Sequence, residues 1–367
     1  MRIFLFSVVI IVALIIVASS SPVSAHFSPV SAHFYDNVVL TIPRNSTWNY
    51  FNKYLGCRVG QKIKGLAKIK QYFQRFGYID NSLSNDFTDE FDQLLLSALK
   101  SYQLNFNLKI TGEFDISTLQ NMVKPRCGNP DIVKKGTTHM NYGGKTPMDH
   151  TVAHFSFFEG QPRWPSSKSK LKYAFLPENQ LTDSVKLAFR RAFDKWSKVT
   201  PLTFTEMDSY RSADIRIGFF VRDHGDGNPF DGPMKILAHA FAPPIGFFHL
   251  DGEENWMVDG EYLKEGMVDL ESVAVHEIGH LLGLDHSSEK DAVMFPTLED
   301  GTRKVELSRD DIEGVQMLYG SNPDYNGSST VYTHHQENDI SGYSTFRSLC
   351  PHWIVGFFLA LMLSISL

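Results

Sequence analysis

His276-Glu277-Ile278-Gly279-His280-Leu281-Leu282-Gly283-Leu284-Asp285-His286 is the stretch on which the reading turns. Its first part falls in Leu270 to Leu282, a stretch that reads as a helix. On a helix, residues four apart share a face one turn from each other, so His276 and His280 can reach one ion together. Gly283 can take positive φ, end the helix and turn the chain so that His286 returns as a third imidazole. Three neutral nitrogens leave a fourth tetrahedral corner for water, the arrangement of a catalytic zinc rather than a closed structural one. Glu277 stands beside the ligand pair without being needed for coordination. It is placed to act as the general base that takes the proton of the attacking water and passes it to the leaving amine. Asp285 sets a further carboxylate next to the third histidine, where it can alter ligand orientation.

Upstream, His224, Asp226, His239 and His249 supply three imidazoles and a carboxylate, enough to close a second, structural zinc site. The chain has 14 histidines, and the two clusters use all six that fall between 224 and 286. Strand-like runs at 171–176 and 214–220 flank a helix that Thr182 can cap, with Val185, Ala188, Phe189, Ala192, Phe193 and Trp196 on its buried face. Residues 151–320 therefore read as a sheet with helices packed on it, α/β or α+β. Residues 56–123 read as three helices: Gln61 to Phe76, one opened by Thr88 with Asp89 and Glu90 in its first turn, and a third capped by Asp115.

The 367 residues have room for two ordinary domains and appendages. An apolar share of 43 % supports buried cores, and a net charge of −6 excludes nucleic acid as an electrostatic partner. Three cysteines, Cys57, Cys127 and Cys350, cannot make a disulfide scaffold. The apolar run Ile3 to Ala18 followed by Val23-Ser24-Ala25 reads as a secretory signal, an uncleaved anchor being the alternative. The repeat of Ser21 to Phe27 as Ser28 to Phe34 offers a second cleavage point after Ala32. Polar sequence from Ser321 reads as a stalk. The apolar tail from Trp353 to Leu367 fits a signal exchanged for a glycosylphosphatidylinositol anchor within Asp339 to Ser344, with a short tail anchor as the alternative. Asn45 and Asn326 head glycosylation tripeptides.

The histidine motif, with Met294 eight residues beyond His286 in Ala292-Val293-Met294-Phe295-Pro296, resembles the metzincins and, among them, the matrixins or matrix metalloproteinases. Pro125-Arg126-Cys127-Gly128-Asn129-Pro130-Asp131 resembles their cysteine switch, with Asn129 at its variable position. The resemblance runs over about residues 56–320 and implies an α+β catalytic domain, a twisted mixed sheet with long helices, behind a small three-helix peptidoglycan-binding-like prodomain. It implies that Met294 forms the turn beneath the zinc and that Cys127 is a fourth, inhibitory zinc ligand in a zymogen, with Arg126 and Asp131 paired to shape its loop. His224, Asp226, His239 and His249 would hold the structural zinc. Asp231, Asp251 and Glu254, with carbonyls of Gly232, Met234 and Ile236, would bind calcium. A second calcium site using Asp214 is expected to be weak or missing. Leu237 and Ala238 would pair with an extended substrate, and Pro296 and Leu298 would wall the S1′ pocket, favouring a bulky apolar P1′ residue. Activating cleavage is expected between Gly136 and Phe155, with the new N-terminus docking near Asp310 or Asp311.

The organisation read from all this is a signal peptide (1–25), a propeptide with its helical prodomain (26–150), a catalytic domain (151–320), a stalk (321–344) and a removed anchor signal (345–367), with no length left for a hemopexin domain, as in plant-type matrixins. The expected protein is a monomeric, secreted zinc endopeptidase with two Zn2+ and at least one Ca2+. It would be tethered to the plasma membrane by lipid, face the extracellular matrix, be switched on by an activating protease, and cut extracellular proteins or peptides. The rival reading is a catalytically silent, metal-containing surface protein that works by binding. Glu277 argues against it, since a scaffold has no use for a base.

Overall fold

The structure, a computed structural model, describes residues 51–83, 86–132, 140, 153–233, 235–258, 266–299 and 301–327. The expected signal peptide, Asn45, Met234, most of the activation loop, the stalk from residue 328 onward and the anchor signal lie outside these residues.

Helices α1 (Leu66–Arg75), α2 (Gln93–Asn105) and α3 (Ile116–Met122) form the N-terminal body. Leu66, Phe73, Leu95, Leu99, Tyr102 and Leu119 are fully buried between them. The first two helices start later than the sequence suggests, and one carboxylate explains both. Asp89 does not sit in a first turn; its Oδ1 accepts from the Gly65 and Ala67 amides at 2.9 and 3.0 Å, capping α1 from across the fold. Gly65 takes φ 102°, and Lys62 bridges to Glu90, so residues 61–65 cannot be helical. The cap of α2 falls instead to Asp92, which accepts from the Leu95 amide at 2.9 Å. Asp115 caps α3 as its position suggests, accepting from the Thr118 amide.

The second body is a mixed sheet under two long helices. Strands β1 (Arg126–Cys127), β2 (Lys170–Phe175), β3 (Thr203–Glu206), β4 (Ile215–Phe220), β5 (Ile236–Ala240) and β6 (Phe247–Asp251) lie in the order β1-β5-β6-β4-β2-β3. All neighbours are parallel except β5 and β6. A short parallel pair, β7 (Trp256–Met257) and β8 (Val268–Asp269), leads into the histidine helix. Helix α4 (Asp183–Val199) is capped by Thr182 and turns Val185, Phe189, Phe193 and Trp196 into the core. Helix α5 (Leu270–Leu281) is buried along its whole length, packed on α4 and the sheet, so its polar residues Glu271, Ser272, His276, Glu277 and His280 are buried with its apolar ones. The Trp196 indole donates to the Val275 carbonyl at 2.9 Å and pins the two helices together. Helix α6 (Arg309–Tyr319) closes the body. Among the described residues no helix is long and apolar enough to cross a membrane.

Candidate active site

The N-terminus of α5 is fixed by charge. Asp269 caps it, accepting from the Ser272 amide at 2.7 Å, while Arg303 reaches both Asp269 (3.0 Å) and Glu271 (2.7 Å) and Arg191 also binds Glu271. With that end held, His276 and His280 project from successive turns. Gly283 follows at φ 100°, where a Cβ would lie 2.1 Å from the Pro162 carbonyl oxygen, so the turn that returns His286 requires glycine. The three rings meet with centroids 4.9, 5.0 and 5.4 Å apart.

Two of the three rings are aimed by a hydrogen bond from the second nitrogen. His276 Nδ1 donates to the Val293 carbonyl at 2.7 Å and His280 Nδ1 to the Leu284 carbonyl at 2.9 Å, which leaves both Nε2 atoms as acceptors pointing at a common centre. His286 Nδ1 lies 2.9 Å from Asp131 Oδ1, off the ring's hydrogen-bonding direction. Cys127 Sγ enters from the opposite side, 3.4 Å from His280 Nε2. Donor atoms of Cys127, His276, His280 and His286 all fall within 4.8 Å of one another. Nε2 of His276 and of His286 and both carboxylate oxygens of Glu277 are buried without a hydrogen-bond partner among the described residues. Buried orphans cost free energy unless something meets them, and three imidazoles with a thiol are a donor set that fits zinc. Burial lowers the pKa of all three histidines, His276 to about 3, and so favours the neutral form that ligation needs. The same burial pushes the Glu277 carboxyl up to about 8 and the Cys127 thiol well above its usual range.

Sequence comparison gives the family. The matrixin model matches residues 163–320, and a peptidoglycan binding domain model matches 64–122. Metalloendoproteinase 2-MMP of Arabidopsis thaliana is 50 % identical over 329 residues, 85 % of this chain and 87 % of that protein. The chain belongs to the matrixin family. Metalloendoproteinase 5-MMP of the same plant is 54 % identical over 313 residues, 84 % of this chain and 85 % of that protein. Stromelysin-2 of Rattus norvegicus is 35 % identical over 270 residues, 72 % of this chain and 51 % of that protein. As a matrixin the protein is a zinc-dependent metalloendopeptidase, with a mixed-sheet catalytic domain behind a helical prodomain.

The remaining matrixin candidates fall into two groups. His224, Asp226, His239 and His249 converge: Asp226 Oδ2 lies 2.9 Å from His224 Nε2, 2.7 Å from His239 Nε2 and 2.8 Å from His249 Nδ1. This four-donor set can close around a tetrahedral ion. Burial drives His239 down to about 4, while the three imidazoles hold the Asp226 carboxyl far below the usual carboxylate range despite its partial burial. The calcium candidates do not gather in this way. Asp231 Oδ1 accepts from the Ile236 amide and Asp251 Oδ2 from the Gly232 amide, and Glu254 lies buried nearby in sequence. Among the described residues, Asp231, Asp251 and Glu254 do not form a group with donor atoms within 4.8 Å of one another. Asp214, the one side chain matched to a second calcium site, pairs with Lys168 at 2.5 Å and accepts from the Lys172 amide at 2.9 Å.

Leu237 and Ala238 lie on β5 beside the histidine cluster, and the strand is covered by β1 and the residue after it: the Arg126 and Gly128 amides donate to the Lys235 and Ala238 carbonyls at 2.7 and 2.8 Å. Across the cleft, the Cys127 amide donates to Pro296 and the Leu298 amide to Pro125. The 125–128 segment is thus sandwiched between both walls. Leu237, Val273, His276, Glu277, Pro296 and Leu298 line one cavity next to it.

Several further contacts support the site. Met294 is placed under α5 by Asp311, whose carboxylate accepts from the Val293 and Met294 amides at 2.8 and 3.0 Å. Its signal is Ser308-x-x-Asp311, a capping box that opens α6. Asp310, by contrast, accepts from the His154 and Phe155 amides. Asp285 turns its carboxylate to the His286 amide at 2.8 Å, and burial pushes it up to about 8. Arg126 and Asp131 pair at 2.5 Å inside a cage from the N-terminal body: the guanidinium lies 3.4 Å from the centre of the Phe76 ring, and the Tyr78 hydroxyl donates to Asp131. Nothing in the residue spacing announces that cage.

Proposed function

We propose that this matrixin is a secreted, cell-surface zinc endopeptidase made as a zymogen that Cys127 keeps silent. The observation that carries the reading is the convergence of Cys127 Sγ with the nitrogens of His276, His280 and His286 beside an unpartnered Glu277. A zinc ion bound there supplies a polarising centre that acidifies water and activates a scissile carbonyl. His276, His280 and His286 would hold it, and Cys127 would take the position that water needs. Once the propeptide is cut away, Glu277 accepts the proton of the attacking water and delivers it to the leaving nitrogen. Leu237 and Ala238 bind the substrate backbone along β5, and the apolar wall that includes Pro296 and Leu298 takes a bulky apolar P1′ side chain.

His224, Asp226, His239 and His249 are read as a structural zinc site, making two zinc ions per chain. Asp231, Gly232, Met234, Ile236, Asp251 and Glu254 are read as a calcium site. The N-terminal apolar run and the C-terminal tail support export and a lipid anchor facing the extracellular matrix, with a separate protease as activator. The test is to assay metal-loaded, activated protein on quenched peptides beside Glu277→Ala. Cleavage by the parent with a loss of about a thousandfold or more in the variant is expected; equal inertness would favour a silent binding protein.

A further inference from the structure

The switch segment lies along β5 as a partial strand. Arg126 N donates to Lys235 O and Gly128 N to Ala238 O, and the next rung belongs to Ala240. The main chain cannot supply that rung. Pro130 has no amide hydrogen, and the chain then bends away so that the Asp131 amide donates to Phe76. The side chain of Asn129 takes over: its Nδ2 donates to the Ala240 carbonyl at 2.8 Å, and its Oδ1 accepts from the Ala240 amide at 3.1 Å. A carboxamide carries one donor and one acceptor face like a peptide unit, so Asn129 continues the ladder in place of the backbone. Asn129 and Ala240 are both buried, so the two β5 groups would otherwise be orphaned. The Asn129 amide itself points at Cys127 Sγ, 3.3 Å away, and Gly128 fits because a Cβ there would lie 2.8 Å from Ile236.

We infer that Asn129 is a positioning residue of latency: by occupying the Ala240 rung with a peptide-like side chain, it fixes Cys127 over the histidine cluster and blocks β5 where a peptide would pair. The inference rests on the proposed zymogen reading and goes further, because it assigns a task to the variable residue of the switch. It also separates two jobs. Arg126 and Asp131 hold the loop to the N-terminal body, whereas Asn129 holds it to the catalytic strand.

The test uses the full-length, zinc-loaded zymogen with Asn129→Ala and Asn129→Asp. Two quantities are read by mass spectrometry: the rate at which a small alkylating reagent labels Cys127, resolved from Cys57 and Cys350 by peptide, and hydrogen–deuterium exchange of the Ala240 amide. Asn129→Ala should speed both by about tenfold, the size expected for losing a pair of buried hydrogen bonds. Asn129→Asp keeps the shape and the acceptor for the Ala240 amide but sets a carboxylate against the Ala240 carbonyl. It should leave the amide protected while speeding Cys127 labelling. If Asn129 merely filled space, the aspartate variant would label at the parent rate, and that result overturns the inference. Unchanged labelling in Asn129→Ala overturns it as well. Fast labelling of Cys127 in the parent zymogen would instead remove the latency reading on which the inference stands.

Discussion

Gly279, between the two motif histidines, contributes to the site without touching a ligand. A Cβ built there would lie 2.2 Å from the sulfur of Met294 and 3.1 Å from the Trp196 ring. The missing side chain is the space into which the Met294 thioether fits under the helix, and Met294 is itself 1 % exposed. Two effects oppose each other in Gly279→Ala. Alanine favours a helix interior by about 1 kcal/mol, whereas overpacking a filled core costs about 1–3 kcal/mol. Because α5 is buried on all sides and Asp311 fixes the Met294 backbone, steric cost should win. The variant is expected to unfold at lower denaturant concentration than the parent. Adding Met294→Ala should recover part of the loss, so that the pair costs less than the sum of the singles. Additive costs would show that the glycine is not there for the sulfur.

At the scale of elements, the N-terminal body depends on aspartates at helix starts. Asp115 caps α3, and Asp92 caps α2 while also binding the buried Lys70 ammonium at 2.6 Å. Asp115→Ala should cost about 1 kcal/mol, the usual size of a lost cap. Asp92→Ala should cost more, because it also leaves a lysine that is 1 % exposed without its counter-charge. Burial raises both carboxyls, but hydrogen bonds outweigh it, from Lys70 and the Leu95 amide at Asp92 and from Thr118 and Ser117 at Asp115, so both lie below the ordinary 3.8. A depressed native pKa means the unfolded chain takes the proton first. The stability is therefore full above about pH 4 and falls as pH drops through the lower native values. Denaturation followed from pH 7 to pH 2 should show this acid loss, reduced in Asp115→Ala. The same elements show what sequence can and cannot carry. Thr182, Asp115 and Gly283 were legible because a cap or a turn is a local event; helical spacing brings His276 and His280 together, and the turn at Gly283 returns His286 to them. Asp89 was misread as a first-turn residue because its true partners, Gly65 and Ala67, are distant in sequence. The approach of Asp131 to His286 and the cage around Arg126 were invisible for the same reason, since they exist only once two bodies are packed together.

For the molecule as a whole, the N-terminal body and the catalytic body share a core residue. Phe295, next to Met294 and Pro296 in the cleft wall, is buried in the aromatic cluster of the N-terminal helices, edge-on to Phe106 with ring centres 5.6 Å apart. Around it, Asn107 Nδ2 donates to the Ser288 carbonyl at 2.7 Å, Arg75 donates to Pro229, and Lys124 pairs with Glu299. The charged contacts are exposed and each contributes little in water, so the buried ring is the larger part of the attachment. Truncating a buried phenylalanine to alanine typically costs about 3–5 kcal/mol, and the sharing of Phe295 makes that cost depend on whether the N-terminal body is present. In the intact chain, Phe295→Ala should destabilise by about 3 kcal/mol, seen as a lower midpoint in thermal or chemical unfolding. If the N-terminal body is removed, as the proposed activation requires, the ring no longer has Phe106 to pack on, and the same substitution should cost well under half as much. A cost that is equal before and after processing would mean that Phe295 serves the catalytic body alone, and that the aromatic contact does not hold the propeptide in the cleft.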